Sequence, residues 1–216
     1  FCLYDPLVNV PLLVKHPALD ADRRTDTVEL VDLYHTVLDA LDVEGGDPAA
    51  AGETAVPRDP TRSLLADDYR AFDAATDPDA GQAAAPAGDV GFVEYSRPVV
   101  ELKQLEEKAA AAGVDVDEES RFYARMRAAR RPDAKYVRID RIEDEAYRLD
   151  TDPEETRNVA AADDEAVETV ERALAAFESD VGGAWTGADD ADVTDDAVAD
   201  MDDEAQERLR DLGYLE

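Results

Sequence analysis

Chemistry at a protein site needs a nucleophile beside a base, a metal held by several donors, or a cradle for an anion, and few residues here are candidates. Cys2 is the single cysteine. It could act as a nucleophile only with a histidine in reach, and neither His16 nor His35 stands in a context that marks it as that base. A buried or incidental thiol is the plainer account. His35 lies between Tyr34 and Thr36 on an expected helix, where a surface imidazole is its ordinary role. His16 ends an expected strand, the edge where α/β sheets commonly place functional groups. It is a candidate substrate contact, with an ordinary loop histidine as the alternative.

The paired carboxylates Asp67-Asp68, Asp163-Asp164, Asp189-Asp190, Asp195-Asp196 and Asp202-Asp203 have the donor type for calcium or for acid/base work. None has the D-x-D-x-D-G spacing of a calcium loop, and an acidic surface supplies such pairs without any function. Arg97, Arg127, Arg130 and Arg131 are the cations of interest, because an acidic chain that keeps an arginine cluster can use it on an anion. Arg127–Arg131 is expected at a helix end, where cations also offset the negative pole of the helix dipole. There is no glycine-rich phosphate loop, no G-x-S-x-G elbow and no zinc-binding helix motif. The residues alone therefore show no complete active site.

The elements that would position these groups follow from periodicity. Leu7–Lys15 is a nearly continuous apolar run bounded by prolines, as expected of a strand buried on both faces. Asp26 is the expected cap of a helix with Val28, Val31, Leu33, Tyr34, Val37, Leu38 and Leu41 on its apolar side, ending at Gly45-Gly46. Periodicity is lost from Gly46 to Gly88, apart from an island at Ser63-Leu64-Leu65. A strand is expected at Gly91–Tyr95, helices over about 99–112 and 119–130, and a hairpin from Lys135–Asp140 and Glu145–Asp150. A helix over Asp164–Glu178 presents Val167, Val170, Leu174 and Phe177. An acidic irregular stretch then leads to a short terminal helix over Asp203–Leu215.

Length, 216 residues, suits one domain or slightly more. The formal net charge of -32, from 22 basic and 54 acidic residues, argues against binding nucleic acid or an anionic membrane, since a same-sign field repels both. Only four of the basic residues are lysines, Lys15, Lys103, Lys108 and Lys135. This composition resembles that of proteins from salt-loving archaea; an acidic partner-binding protein is the alternative. The longest apolar run is far below the roughly 20 residues that span a bilayer. A cytoplasmic location is the expectation, while any export signal would stand before Phe1. The chain reads as a piece of something longer.

Four ordered segments resemble the C-terminal part of the sulfatase family, within the alkaline-phosphatase-like hydrolases. Leu3–Val14 is similar to that family's "L-Y-[DE]-x-x-x-x-V-P-L-[IL]-V" strand. Val31–Asp39 is similar to its "V-D-L-x-P-T-[IVL]-L-D" helix, with His35 where proline is more common. Tyr136–Ile139, Glu145–Asp150 and Asp152–Val159 resemble its "K-Y-I … E-L-Y-D-L … D-P-x-E-x-x-N-L" hairpin and turn. Glu207–Leu215 resembles the "R-L-x-x-L-G-Y-L" ending.

The resemblance implies an α/β fold: the C-terminal end of an alkaline-phosphatase-like α/β layer, plus a small α+β subdomain with an antiparallel sheet. Residues 1–45 would be the last strand and helix of the catalytic layer, 46–90 a linker or insertion, 91–180 the subdomain and 181–216 an acidic tail. Sulfatases cleave sulfate esters with a formylglycine made within C-x-P-x-R, beside a divalent cation, calcium by preference, held by carboxylates and an Asn or His. All those positions would lie upstream. Cys2 is followed by Leu3-Tyr4-Asp5 and does not match the nucleophile, so no catalytic or metal residue is carried onto this chain. The implied partners are a missing N-terminal catalytic portion and a sulfated small molecule or glycan. Arg97, Arg130 and His16 would contact the substrate from the cleft wall. A phosphodiesterase or phosphonate hydrolase of the same superfamily, and a non-catalytic acidic module, are the alternatives.

Overall fold

A computed structural model describes residues 2–42, 59–66, 69, 89–96 and 99–181. The described chain mixes helices with a four-stranded antiparallel sheet. In chain order, α1 is Asp5–Val8, α2 Leu30–Ala40, β1 Gly91–Tyr95, α3 Val99–Ala112, β2 Met126–Arg130, β3 Lys135–Ile139, β4 Glu145–Tyr147 and α4 Glu165–Asp180. One-turn 3₁₀ helices lie at Pro60–Arg62 and Arg121–Tyr123. The strands lie in sequential order, so each pairs with its neighbour in the chain.

Register explains the layers. Phe92, Ala129, Tyr136 and Ala146 stand opposite one another across the sheet, and because strand side chains alternate they share one face. α4 packs there through Val167, Val170, Ala173 and Leu174, all buried. Two alanines in this row leave room for the helix. At its edge, Phe92 stacks on Phe177 with ring centroids 4.4 Å apart. The opposite face carries Met126, Ala128, Val137 and Ile139, covered by Leu3 of the N-terminal arm. α4 starts where Asp164 accepts the amides of Ala166 and Val167 at 3.0 and 3.3 Å, with Glu165 and Glu168 in the first turn favouring the positive end of the helix dipole.

α3 ends at Gly113, whose φ of +70° lets the Val114 amide turn back to the Ala109 carbonyl at 2.9 Å. Gly91 meets a different demand: a Cβ there would lie 2.9 Å from the Thr27 methyl, so glycine allows residues 27–29 to lie against β1.

Several expectations need correction. Residues 119–130 are not a helix. They form a 3₁₀ turn and the strand β2, because a place between β1 and β3 satisfies both edges of its backbone, and this outweighs the helical preference of Arg and Ala. Leu7–Lys15 is not a buried strand of this sheet: its first residues close the short α1, and residues 10–16 then run without turn, bend or ladder partner. Leu13 is 97% exposed. The cap of α2 is Glu29, not Asp26; Glu29 and Asp32 exchange side-chain-to-backbone bonds as a capping box. The buried residues of α2 are the polar Asp32, His35 and Thr36; of the expected apolar side Val28, Val31, Leu33 and Leu38 are half-buried, while Tyr34, Val37 and Leu41 are exposed, as is Leu30. The expected end at Gly45-Gly46, the terminal helix over Asp203–Leu215, and most of 46–88 lie outside the described residues. The island at Ser63–Leu65 is described, with Ser63 and Leu64 buried.

Candidate functional site

Lys135, at the start of β3, is with Asp32 one of two charged residues with no exposure among the described residues. It projects onto the face covered by the N-terminal arm, together with its cross-strand neighbours Arg130 and Tyr147. Its side chain is fully buried, and Nζ lies 2.7 Å from Asp5 Oδ1, 2.5 Å from Glu155 Oε1 and 2.9 Å from the Leu3 carbonyl. Arg130 closes the other side of Asp5, with Nη2 donating to Oδ2 at 2.8 Å. Glu155 also accepts the Asp5 amide at 2.6 Å through Oε2. Burial pushes the Asp5 carboxyl up, but the hydrogen bonds and charges of Arg130 and Lys135 outweigh it and hold the group at about 2.

Glu155 reaches this cluster from a left-handed backbone position, φ 54°, unusual for a residue with a side chain. The turn that holds it is built by Asp152, which accepts the amides of Thr156 and Arg157 at 3.0 and 2.9 Å while its carbonyl takes the Glu155 amide at 3.1 Å. Beside it, Tyr4 meets Tyr147 edge to face at 5.9 Å, and Arg121 donates to the Tyr4 hydroxyl at 3.1 Å and pairs with Glu145. The Tyr147 hydroxyl donates to Glu145 at 3.0 Å. The arrangement is a clamp. Two carboxylates and a carbonyl surround the Lys135 amine and can take its three donors.

A second cluster fixes α2. Asp32, fully buried, accepts from Arg62 Nε at 2.6 Å, from the Tyr69 hydroxyl at 2.9 Å and from the Glu29 amide at 2.7 Å. Glu29 accepts from Arg62 Nη2 at 2.8 Å and from the Phe92 amide of β1 at 2.7 Å. Burial pushes Glu29 up, only partly offset by the Phe92 amide and Arg62. His35 accepts the Asp59 amide on Nδ1 at 3.1 Å, and burial with the Arg62 charge pushes its pKa down, so it is a neutral, packed imidazole. Ser63 donates to Asp39 at 2.6 Å and not to His35, so the two do not make a nucleophile–base pair.

Of the residues expected at a substrate, Arg97 lies outside the described residues. Arg130 is in the clamp, on a strand and not at a helix end or in a loop. His16 stands just before the turn at Pro17-Ala18, its carbonyl accepting the Leu19 amide at 3.0 Å and its Nδ1 the Ala18 amide at 3.2 Å, and shares no bonding partner with Arg130. Arg127 lies on the α4 face with Glu94 at 2.7 Å and Glu178 at 3.9 Å. Sequence reasoning missed Lys135, Asp5, Glu155 and the Asp32–Arg62 pair. One signal was present: lysine is rare in this chain, and Lys135 directly precedes Tyr136.

Among the described residues no group of three or more His, Cys, Asp or Glu side chains is placed to hold a metal ion. Among them, too, no helix is long and apolar enough to cross a membrane. No family model matches the chain, and neither a curated protein nor a solved structure matches it.

Proposed function

We propose that this chain is the C-terminal portion of a sulfatase-type hydrolase, forming a wall of the substrate cleft, with nucleophile and divalent-cation site on polypeptide upstream. The observation that carries the reading is the convergence of the residues that resemble the family's separated motifs. Asp5 of the first segment meets Glu155 of the third across 150 positions, and Lys135, beside Tyr136, reaches Leu3 across 132. Asn158 of the same segment ties the turn to the hairpin, its Oδ1 accepting the Ala146 amide at 3.0 Å. Motifs that share a buried ion cluster have a physical reason to occur together, since losing one member strands the charges of the others.

In this reading the alkaline-phosphatase-like layer is completed outside the chain, and Arg97, Arg130 and His16 remain the proposed substrate contacts. Arg130 would act through its edge not taken by Asp5. The test is hydrolysis of 4-nitrophenyl sulfate in molar KCl with calcium. The longer polypeptide encoded with its upstream sequence is expected to turn it over, and the 216-residue chain is expected to be inert. Turnover by the chain alone would overturn the proposal. Hydrolysis of bis(4-nitrophenyl) phosphate but not of the sulfate would replace it with a phosphodiesterase.

A further inference from the structure

Asp32, His35, Thr36 and Asp39 are spaced as one stripe along α2, and each takes a donor from residues 59–64. Arg62 Nε donates to Asp32 at 2.6 Å, the Asp59 amide to His35 Nδ1 at 3.1 Å, the Leu64 amide to the Thr36 hydroxyl oxygen at 2.9 Å, and the Ser63 hydroxyl to Asp39 at 2.6 Å. The segment is thus strapped to the helix by a row of hydrogen bonds about two turns long. Ser63 and Leu64 are buried by this docking.

The four acceptors differ in what a proton does to them. A threonine hydroxyl does not titrate there, and a carboxylate ordinarily takes up its proton near pH 4, about two units below an imidazole. His35 is therefore the member of the row whose type changes charge in mild acid. Its Nδ1 lone pair is spent on the Asp59 amide, so the neutral ring carries its proton on Nε2. A second proton has to enter at Nδ1, where it meets an N–H instead of an acceptor. The charges around the ring oppose one another: Arg62 of the strap repels an imidazolium, while Asp59 of the strap and Asp32 of α2 attract it. Tyr34 lies edge to face with the ring at 5.2 Å, Asp39 is taken by Ser63, and Glu29 shares Arg62 with Asp32. Burial and the Arg62 charge prevail and hold the imidazole below its ordinary 6.5.

We propose that His35 is an acid-sensitive pin: a proton at Nδ1 removes the acceptor of the Asp59 amide, adds a second buried cation next to the Arg62 cluster, and frees residues 59–64 from α2. The proposal does not depend on the sulfatase reading. Its sign follows from linkage. An imidazole held below its ordinary value when docked contributes fully above 6.5, and its contribution is lost as the pH falls below that, by up to about tenfold per pH unit, until the docked ring itself is protonated. The competing acid-sensitive group is Glu29, whose carboxylate also holds Arg62 and whose pKa burial raises.

Amide hydrogen exchange of the 216-residue chain, expressed at each pH as protection over the free-peptide rate, tests the pin. From about pH 7.5 to about 5.5 the Asp59 and Leu64 amides are expected to lose protection together, by about threefold to tenfold, while the amides of β2 and β3 keep theirs. The midpoint of that loss should follow the titration of the His35 ring, read from its proton resonances. His35→Asn puts a non-titrating acceptor near the position of Nδ1 and is expected to keep both amides protected across the range. Constant protection in the parent chain would sink the proposal, as would loss of protection while the ring stays neutral. An equal loss in His35→Asn would also overturn it and would assign the effect to Glu29.

Discussion

Lys135 has no solvent exposure and two carboxylate partners. A cation in that position is replaceable only at the cost of its partners: Lys135→Met strands Asp5 and Glu155, and should destabilise the chain by about 3–5 kcal/mol in denaturant unfolding. Lys135→Arg is not expected to rescue it, because a planar fork does not fit three acceptors arranged around a point charge. Asp5 gives the clamp a pH signature. Its folded value of about 2 lies below the ordinary 3.8, so its contribution is complete above the ordinary value and is lost as the pH falls toward 2. Asp5→Asn should therefore flatten the acid limb of a stability–pH curve between those limits. An acid limb identical to that of the parent would show that Asp5 titrates normally. From the sequence Arg130 is either a cation for an anion or a helix-end charge; the fold puts it on a strand and gives much of it to Asp5, because the register sets Arg130 beside Lys135 where the arm crosses the sheet.

At the scale of elements, β2 is the instructive case. Its alanines look helical in isolation, yet Ala128 packs under the N-terminal arm and Ala129 under α4. Small size is what this central strand needs. Ala129→Leu should overpack the helix interface, costing about 1–3 kcal/mol and measurable as a lower denaturant midpoint. Where local pattern and tertiary demand agree, the sequence was sufficient: Gly91–Tyr95, the hairpin of β3 and β4, the helix over 99–112, and α4 with its buried stripe. Where they conflict it misled. The period of α2 marks an apolar side that is only half-buried, whereas the carboxylates of Glu29 and Asp32, with Arg62 and Tyr69, draw the polar side fully inward. Nothing in a 3.6-residue period tells which side finds a partner.

Across the whole molecule the charge excess dominates. With 54 acidic and 22 basic residues the chain repels itself in dilute buffer. Raising KCl from about 0.1 to 1 M shortens the Debye length from about 10 to about 3 Å. The buried pairs at Lys135 and Asp32 are screened far less than the exposed carboxylates. The thermal midpoint should therefore rise with salt when followed by circular dichroism, and a fall would mean that the ion pairs outweigh the repulsion.

Composition, charge sign and the strand and helix periods that agree with their surroundings were determined by the sequence alone, because each depends on residues close together in the chain. The meeting of Asp5 with Lys135 and Glu155, the inward polar side of α2 and the sheet position of β2 were decided only in the tertiary structure. Each depends on which distant surface is available to desolvate a group, and on whether the charges that gather there can satisfy one another.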